Sequence, residues 1–277
     1  MQFGAYAFVT DEGIHPAELA GALEERGFSA LFVPEHTHMP LDHTPYPGGG
    51  PVPRRYCRSL DPFVVLATAA AVTERLVLGT AIALLVQRDP IILAKEVASL
   101  DHLSGGRVEL GVGAGWNRPE IANHGVDPRV RTRVLRERVL AVKEIWTNEI
   151  AEFHGEHVDF GPMRSWPKPV RSPHPPVLLG GWGPTLVERI VDHAEGWIAP
   201  PPFGPAKLAE RVVELRRAAG AAGKPMPSVT AYVHGPDQRV IDGFAEAGAD
   251  RLLFSLPAAG REESLRLLDD FVTRIAI

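Results

Sequence analysis

Short apolar runs recur along the chain at Gln2–Phe8, Ala30–Val33, Val77–Ala81, Val108–Val112, Val177–Leu179, Gly196–Ala199, Ser228–Val233 and Arg251–Ser255. Several are continuous in Val, Ile and Leu instead of alternating with polar residues, which marks strands buried on both faces. Segments of helical period lie between them. Asp61-Pro62 and Asp89-Pro90 each put a capping acid before a proline at the first helical position. Pro16 opens a helix over Ala17–Arg26 that Gly27 can end. Arg131–Trp146 repeats apolar residues at Val134, Leu135, Val139, Val142 and Ile145. Thr185–Asp192, Ala206–Ala219, Arg239–Ala247 and Glu262–Ile275 also fit helices. Strand and helix alternate eight times, which predicts an α/β fold, a TIM-like (β/α)8 barrel with insertion loops, formed as one domain by residues 1–277.

Three connections are longer than such a barrel needs: Pro34–Leu60, Gly113–Pro128 and Glu149–Pro176. The first two follow strands. Loops in that position build the active face of a barrel, so both are expected to wall a substrate site. The third reads as an insertion at about 149–176 before the fifth strand, with Phe153–Phe160 forming a small hairpin.

Composition narrows the partners. A chain with 45% hydrophobic and 23% charged residues can bury a large core. Its 29 basic and 34 acidic residues leave a net charge of −5, which removes the electrostatic drive toward nucleic acid or an anionic membrane. A small-molecule substrate is the expected partner. The single cysteine, Cys57, excludes an internal disulfide and any zinc site built on paired thiolates. The longest apolar stretch, Leu76–Val86, falls well short of the roughly 20 residues of a membrane span, and Met1–Gly13 has no basic start. The chain therefore reads as cytoplasmic.

Candidate chemistry gathers where strands end. Val33-Pro34-Glu35-His36-Thr37-His38 brings His36 to the barrel mouth, where imidazole can exchange a proton or a hydrogen bond with a ligand near neutral pH. A solvated loop histidine is the plainer reading. A metal site is the rival, but it needs further ligands at later strand ends, and Leu179-Gly180-Gly181 and Phe254-Ser255-Leu256-Pro257 offer none. Gly79-Thr80-Ala81-Ile82 has the small residues that let a flat ring approach backbone. Gly111-Val112-Gly113-Ala114-Gly115-Trp116-Asn117 is no dinucleotide fingerprint, because G-x-G-x-x-G would need glycine where Trp116 stands. It is either a tight turn or a glycine loop admitting a ligand. Gly180-Gly181-Trp182-Gly183 runs into a helix start, an arrangement that suits an oxyanion as well as a simple turn.

Together VPEHTH, DPFVVLATAAAVTERLVLGTAI, RDPIILAKEVASLDHLSGGRVELGVGAGWNRPE, PKPV, HPPVLLGGWG and EGW resemble the luciferase-like flavin and deazaflavin oxidoreductases (the luciferase-like monooxygenase superfamily), specifically the branch that uses coenzyme F420. The resemblance runs to about Ile198 and implies a TIM-like barrel with an insertion. It makes His36 the histidine beside the redox centre of the cofactor ring. It makes Thr80, Ala81 and Ile82 the bulge backing that ring, with a cis peptide expected at Ala81–Ile82. Gly113, Gly115 and Asn117 then border the cofactor, and Gly180, Gly181, Trp182 and Gly183 form its phosphate loop. Relatives that oxidise sugar phosphates carry a glutamate directly after the Gly-x-Gly turn, where this chain has Trp116, so that activity is not expected. Trp116 offers an apolar wall, with Asn117 and Glu120 as nearby polar groups. Asp101 and Ser104-Gly105-Gly106-Arg107 read as structural.

The resemblance implies an F420-dependent oxidoreductase moving hydride between a reduced deazaflavin and a small organic substrate, with His36 as proton donor. An FMN-dependent luciferase-like monooxygenase and a barrel that binds flavin or deazaflavin without turnover are the alternatives. A two-fold homodimer is also expected.

Overall fold

The computed structural model describes residues 1–201 and 203–275 of the chain; residues 202, 276 and 277 of the expected domain lie outside them. Eight parallel strands form the barrel: β1 (Gln2–Ala7), β2 (Ala30–Val33), β3 (Val77–Thr80), β4 (Val108–Gly113), β5 (Val177–Gly180), β6 (Gly196–Ala199), β7 (Ser228–Val233) and β8 (Arg251–Leu256). Neighbours pair in sequence from β1 to β8. The sheet closes because β1 also pairs with β8, setting Gln2 against Arg251 and Ala7 against Leu256. All eight strands coincide with the expected apolar runs within one or two residues.

Eight return helices surround the strands: α1 (Pro16–Glu25), α2 (Pro62–Ala70), α3 (Pro90–Ser104), α4 (Arg131–Thr147), α5 (Leu186–His193), α6 (Pro205–Ala221), α7 (Gln238–Glu246) and α8 (Arg261–Arg274). Their starts follow the local chemistry. Asp61 accepts from the amides of Phe63 and Val64 at 2.9 and 3.2 Å, and Asp89 from those of Ile91 and Ile92 at 2.9 Å each, with proline supplying the preset φ in both. The helix α3 ends on Gly105, whose φ of 69° is the left-handed cap that glycine adopts freely. Among the described residues no helix is long and apolar enough to cross a membrane.

The core has two compartments. A large one fills the space between strands and helices, and a smaller one, including Phe32, Leu178, Ile198 and Leu253, fills the barrel itself. Inside the barrel, bulk on one strand is met by absence on the next. A Cβ on Gly79 would fall 2.3 Å from the Phe32 ring, and one on Gly111 would fall 1.9 Å from the Thr80 carbonyl oxygen.

Several connections hold structure that the pattern did not announce, among them a 3-10 turn at Arg54–Cys57 in the expected loop Pro34–Leu60. The expected loop Gly113–Pro128 contains a six-residue helix, Arg118–Asn123, too short to show a period. Chain pairing also resumes after Ile82, where Ala83–Leu84 adds to β4, so β3 stops at Thr80 and the expected strand residue Ala81 falls in the break. The 149–176 segment carries an antiparallel hairpin, Ala151–His154 with Asp159–Met163. The carboxylate of Glu137 on α4 pins its turn by accepting from the amides of Glu156, His157 and Val158.

Arg107 ties α2, α3 and β4 together. Its guanidinium donates to the carbonyls of Leu76 at 2.7 Å, Thr73 at 2.9 Å, Ala70 at 3.3 Å and Ser104 at 2.7 Å. Arg107→Leu should therefore destabilise the fold by about 2–4 kcal/mol, because it strips charged donors from several carbonyls at once. Urea unfolding would show this as a lower midpoint at unchanged slope, and a change under about 0.5 kcal/mol would count against it.

Candidate active site

The C-terminal ends of the strands carry the mouth of the barrel. At the end of β3 the Ala81–Ile82 peptide is cis. The Thr80 hydroxyl donates to the Gly111 carbonyl at 2.7 Å, tying β3 to β4 just before the break. The Ile82 side chain then lies over both following strand ends: a Cβ on Gly113 would come within 2.4 Å of its Cδ1, and one on Gly180 within 2.6 Å of its Cγ2. Thr80, Ala81, Ile82, Gly113 and Gly180 thus form one packed group, in which the two glycines make room for Ile82.

From that group an aromatic wall runs along the mouth to His36. The Tyr232 hydroxyl donates to the Ala81 carbonyl at 3.3 Å. Its ring meets Tyr6 edge-on at 4.9 Å, Tyr6 meets Phe8 at 5.8 Å, Phe8 meets Tyr56 at 4.7 Å, and Tyr56 meets the His36 imidazole at 4.9 Å. Trp116 also packs on His36 at 5.9 Å, next to Tyr56 at 6.3 Å, and Tyr46 packs on both Trp116 and Tyr56. Tyr46 and Tyr56 come from the long loop after β2, where only loop length marked them. Burial pushes the Tyr6, Tyr56 and Tyr232 hydroxyls well above the usual tyrosine range, and the hydrogen bond between Tyr46 and Tyr56 adds to this for Tyr56. All three are neutral at physiological pH, so the wall presents uncharged hydroxyls and ring faces, with the Arg55 guanidinium standing over the Phe8 and Tyr56 rings at 5.2 and 5.6 Å from their centroids.

His36 is buried, its side chain 7% exposed, and its Nδ1 lies 3.1 and 2.9 Å from the two carboxylate oxygens of Glu120, which is 1% exposed. Glu120 stands in the first turn of the short helix after β4. The solvated-loop reading of His36 does not hold. Glu35, the residue before it, serves the frame: it accepts from the Leu84 amide and the Arg88 guanidinium, both at 2.7 Å.

The remaining expected site residues divide. Gly115 adopts a left-handed φ of 75° in the turn leading to Trp116. Asn117 is buried and engaged with the loop after β2, its Oδ1 accepting from the Thr44 amide at 3.1 Å and its amide nitrogen 3.2 Å from the Met39 sulfur. Trp182 points outward and is 70% exposed. Gly181 and Gly183 adopt φ of 117° and 128° with open space where a Cβ would stand. The Gly181 carbonyl accepts from the buried Trp197 indole at 3.0 Å, which holds the turn onto β6. The following helix, α5, has no side-chain cap at Thr185. Arg189, on α5 itself, donates to the Thr185 carbonyl, and Arg131, at the start of α4, donates to that of Pro128; neither is paired with a carboxylate among the described residues. Burial, then the neighbouring Arg131 charge, holds the Arg189 guanidinium below its ordinary value. The described residues hold no cluster of three or more metal-ligating side chains.

Comparison with known proteins gives the family and the fold. A family model described as luciferase-like monooxygenase matches residues 13–251. Rv0953c, an uncharacterized protein of Mycobacterium tuberculosis, is 41% identical over 282 aligned residues, covering 100% of this chain and 99% of the relative. Among solved structures, the monooxygenase RslO1 from Streptomyces bottropensis superposes with a TM-score of 0.81 at 23% identity, over 100% of this chain and 99% of that one. An F420-dependent secondary alcohol dehydrogenase in complex with an F420–acetone adduct gives 0.78 at 19% identity, over 99% and 98%. At those identities the two structures share the fold with this chain.

Proposed function

The chain belongs to the luciferase-like monooxygenase family, and from that premise we propose that it is an oxidoreductase that holds the deazaflavin F420 across the barrel mouth and acts on a small, unsaturated or carbonyl-bearing organic substrate. When bound, the reduced deazaflavin supplies the hydride. The observation that carries the reading is the pairing, on one barrel face, of a buried histidine with a corner made for an oxyanion. Gly181 and Gly183 leave backbone open, α5 begins without a side-chain cap, and the guanidiniums of Arg189 on α5 and Arg131 on α4 have no carboxylate partner among the described residues. These residues fit a cofactor that carries phosphate at one end and a planar ring at the other. The ring would lie against the Ala81–Ile82 group and the tyrosine wall, with His36 placed to give or take a proton. Trp116 and Tyr56 exclude water there and favour an apolar substrate.

Incubation of the purified chain with cell extract, followed by mass spectrometry of the retained cofactor, tests this. A bound deazaflavin whose reduced form is oxidised by members of a carbonyl and enone panel is the expected outcome. Retention of FMN alone would overturn the deazaflavin assignment. Tight cofactor binding with no turnover across the panel would favour a binding role.

A two-fold dimer also belongs to this reading. Leu60, Val64, Ile91 and Ile92 form an exposed apolar area over the starts of α2 and α3, with Val64 64% and Ile92 60% exposed. Light scattering at micromolar concentration should give twice the mass of the chain, and Val64→Lys combined with Ile92→Lys should halve it. A single-chain mass for the unaltered protein would sink the dimer.

A further inference from the structure

Glu120 is an acidic side chain shut away from water. It is 1% exposed, and among the described residues its hydrogen bonds go to a single group, the Nδ1 of His36, at 3.1 and 2.9 Å. An ionised carboxylate taken out of water must be compensated by a donor, and here the imidazole is that donor. A carboxylate only accepts, so Nδ1 carries the hydrogen, and in the neutral ring the lone pair is left on Nε2.

The rest of the surroundings restrict the same ring in other ways. Ser59 donates to the His36 carbonyl at 3.2 Å and holds the backbone. Tyr56 and Trp116 stand against the imidazole at 4.9 and 5.9 Å between centroids, inclined by 48° and 65°, and limit its rotation. The backbone and the ring plane are therefore set by neutral neighbours. Among the described residues, Glu120 is the one hydrogen-bond partner of the ring nitrogens.

We propose that Glu120 is a positioning residue that fixes His36 in the Nδ1–H tautomer and so presents Nε2 as the one ring nitrogen able to exchange a proton with the substrate. The proposal rests on the reading of this mouth as the reacting site. The neutral ring accepts a proton from a substrate hydroxyl, and the charged ring returns one to a carbonyl oxygen. Glu120 touches neither substrate nor cofactor and acts through His36.

The tautomer is measurable without substrate or cofactor. Nitrogen-15 correlation spectra of the full chain, recorded where the imidazole is neutral, distinguish the two ring nitrogens, and His36→Gln identifies the His36 signals by their loss. The unaltered protein should show Nδ1 protonated and Nε2 unprotonated. Glu120→Met, similar in volume and unable to accept, should shift the proton to Nε2 or leave a mixture. A protonated Nε2 in the neutral ring of the unaltered protein overturns the proposal even if the variant fails to fold, as does an unchanged pattern in a folded Glu120→Met. In turnover, Glu120→Met should lose kcat within the range of roughly 10²–10⁴-fold that a positioned acid or base contributes, with KM and cofactor Kd within threefold. Expected tautomers together with unaltered turnover in both Glu120→Met and His36→Gln would support the tautomer assignment and overturn proton exchange at Nε2, and with it His36 as the proton donor.

Discussion

His36→Ala should lower single-turnover oxidation of the reduced cofactor by about 10²–10⁴-fold, while the cofactor dissociation constant moves less than about fivefold. The size of the effect follows from the site. The imidazole is enclosed at this mouth and oriented by Glu120, it can both give and take a proton, and the tyrosines around it stay neutral. Removing the ring leaves the Glu120 carboxylate buried without its donor, so the variant should also melt earlier. Pairing His36→Ala with Glu120→Met separates the two consequences, since the double variant should regain much of the lost stability and none of the lost rate. Weakened cofactor binding with an unchanged rate at saturation would instead make His36 a residue that seats the ring and takes no part in proton transfer. His38, whose ring nitrogens are engaged with the Thr37 hydroxyl and the Asn123 side-chain amide, would not replace it in that case.

The barrel was legible because parallel strands covered on both faces read as unbroken apolar runs, and because Asp-Pro pairs mark helix starts by local chemistry alone. Boundaries shifted where tertiary packing decides: β3 stops at Thr80 so that Ile82 can cover Gly113 and Gly180, a contact between residues about 30 and 100 positions apart. His36 could be placed at the mouth from its strand, but its partner could not. The Glu120 contact spans 84 positions and depends on a six-residue helix whose only local sign is a proline followed by an acid. Tyr46 and Tyr56 were equally hidden, since the path of a long loop is not written in its periodicity. Asn117 shows the reverse case. Its place beside the Gly-x-Gly turn made it a cofactor contact by position, whereas its side chain is engaged in holding the loop at Met39 and Thr44.

The second large effect belongs to the oxyanion corner. Gly181→Val should weaken binding of a phosphate-bearing cofactor by about 10–100-fold, the loss expected when one or two charge-assisted hydrogen bonds are removed. No atom lies within 4 Å of the new Cβ, so crowding is not the cause. The backbone is. A φ of 117° is rarely open to a side-chain-bearing residue and least to a β-branched one, so the peptide must rotate, turning its amide away from the corner beside α5 and its carbonyl from the Trp197 indole. The second of these changes lowers the melting temperature by a few degrees, about the worth of one neutral hydrogen bond. Affinity measured in parallel for F420 and its phosphate-free deazariboflavin core, or for FMN and riboflavin, isolates the first. The phosphate-bearing member of each pair should bind more tightly to the unaltered protein, and Gly181→Val should erase most of that difference while leaving the phosphate-free member nearly unaffected. Arg189→Gln should reduce the same difference without touching the turn, because it removes charge and leaves the backbone in place. Equal losses for both members of a pair would place the damage at the ring or in the fold, and would remove the phosphate from this corner of the barrel.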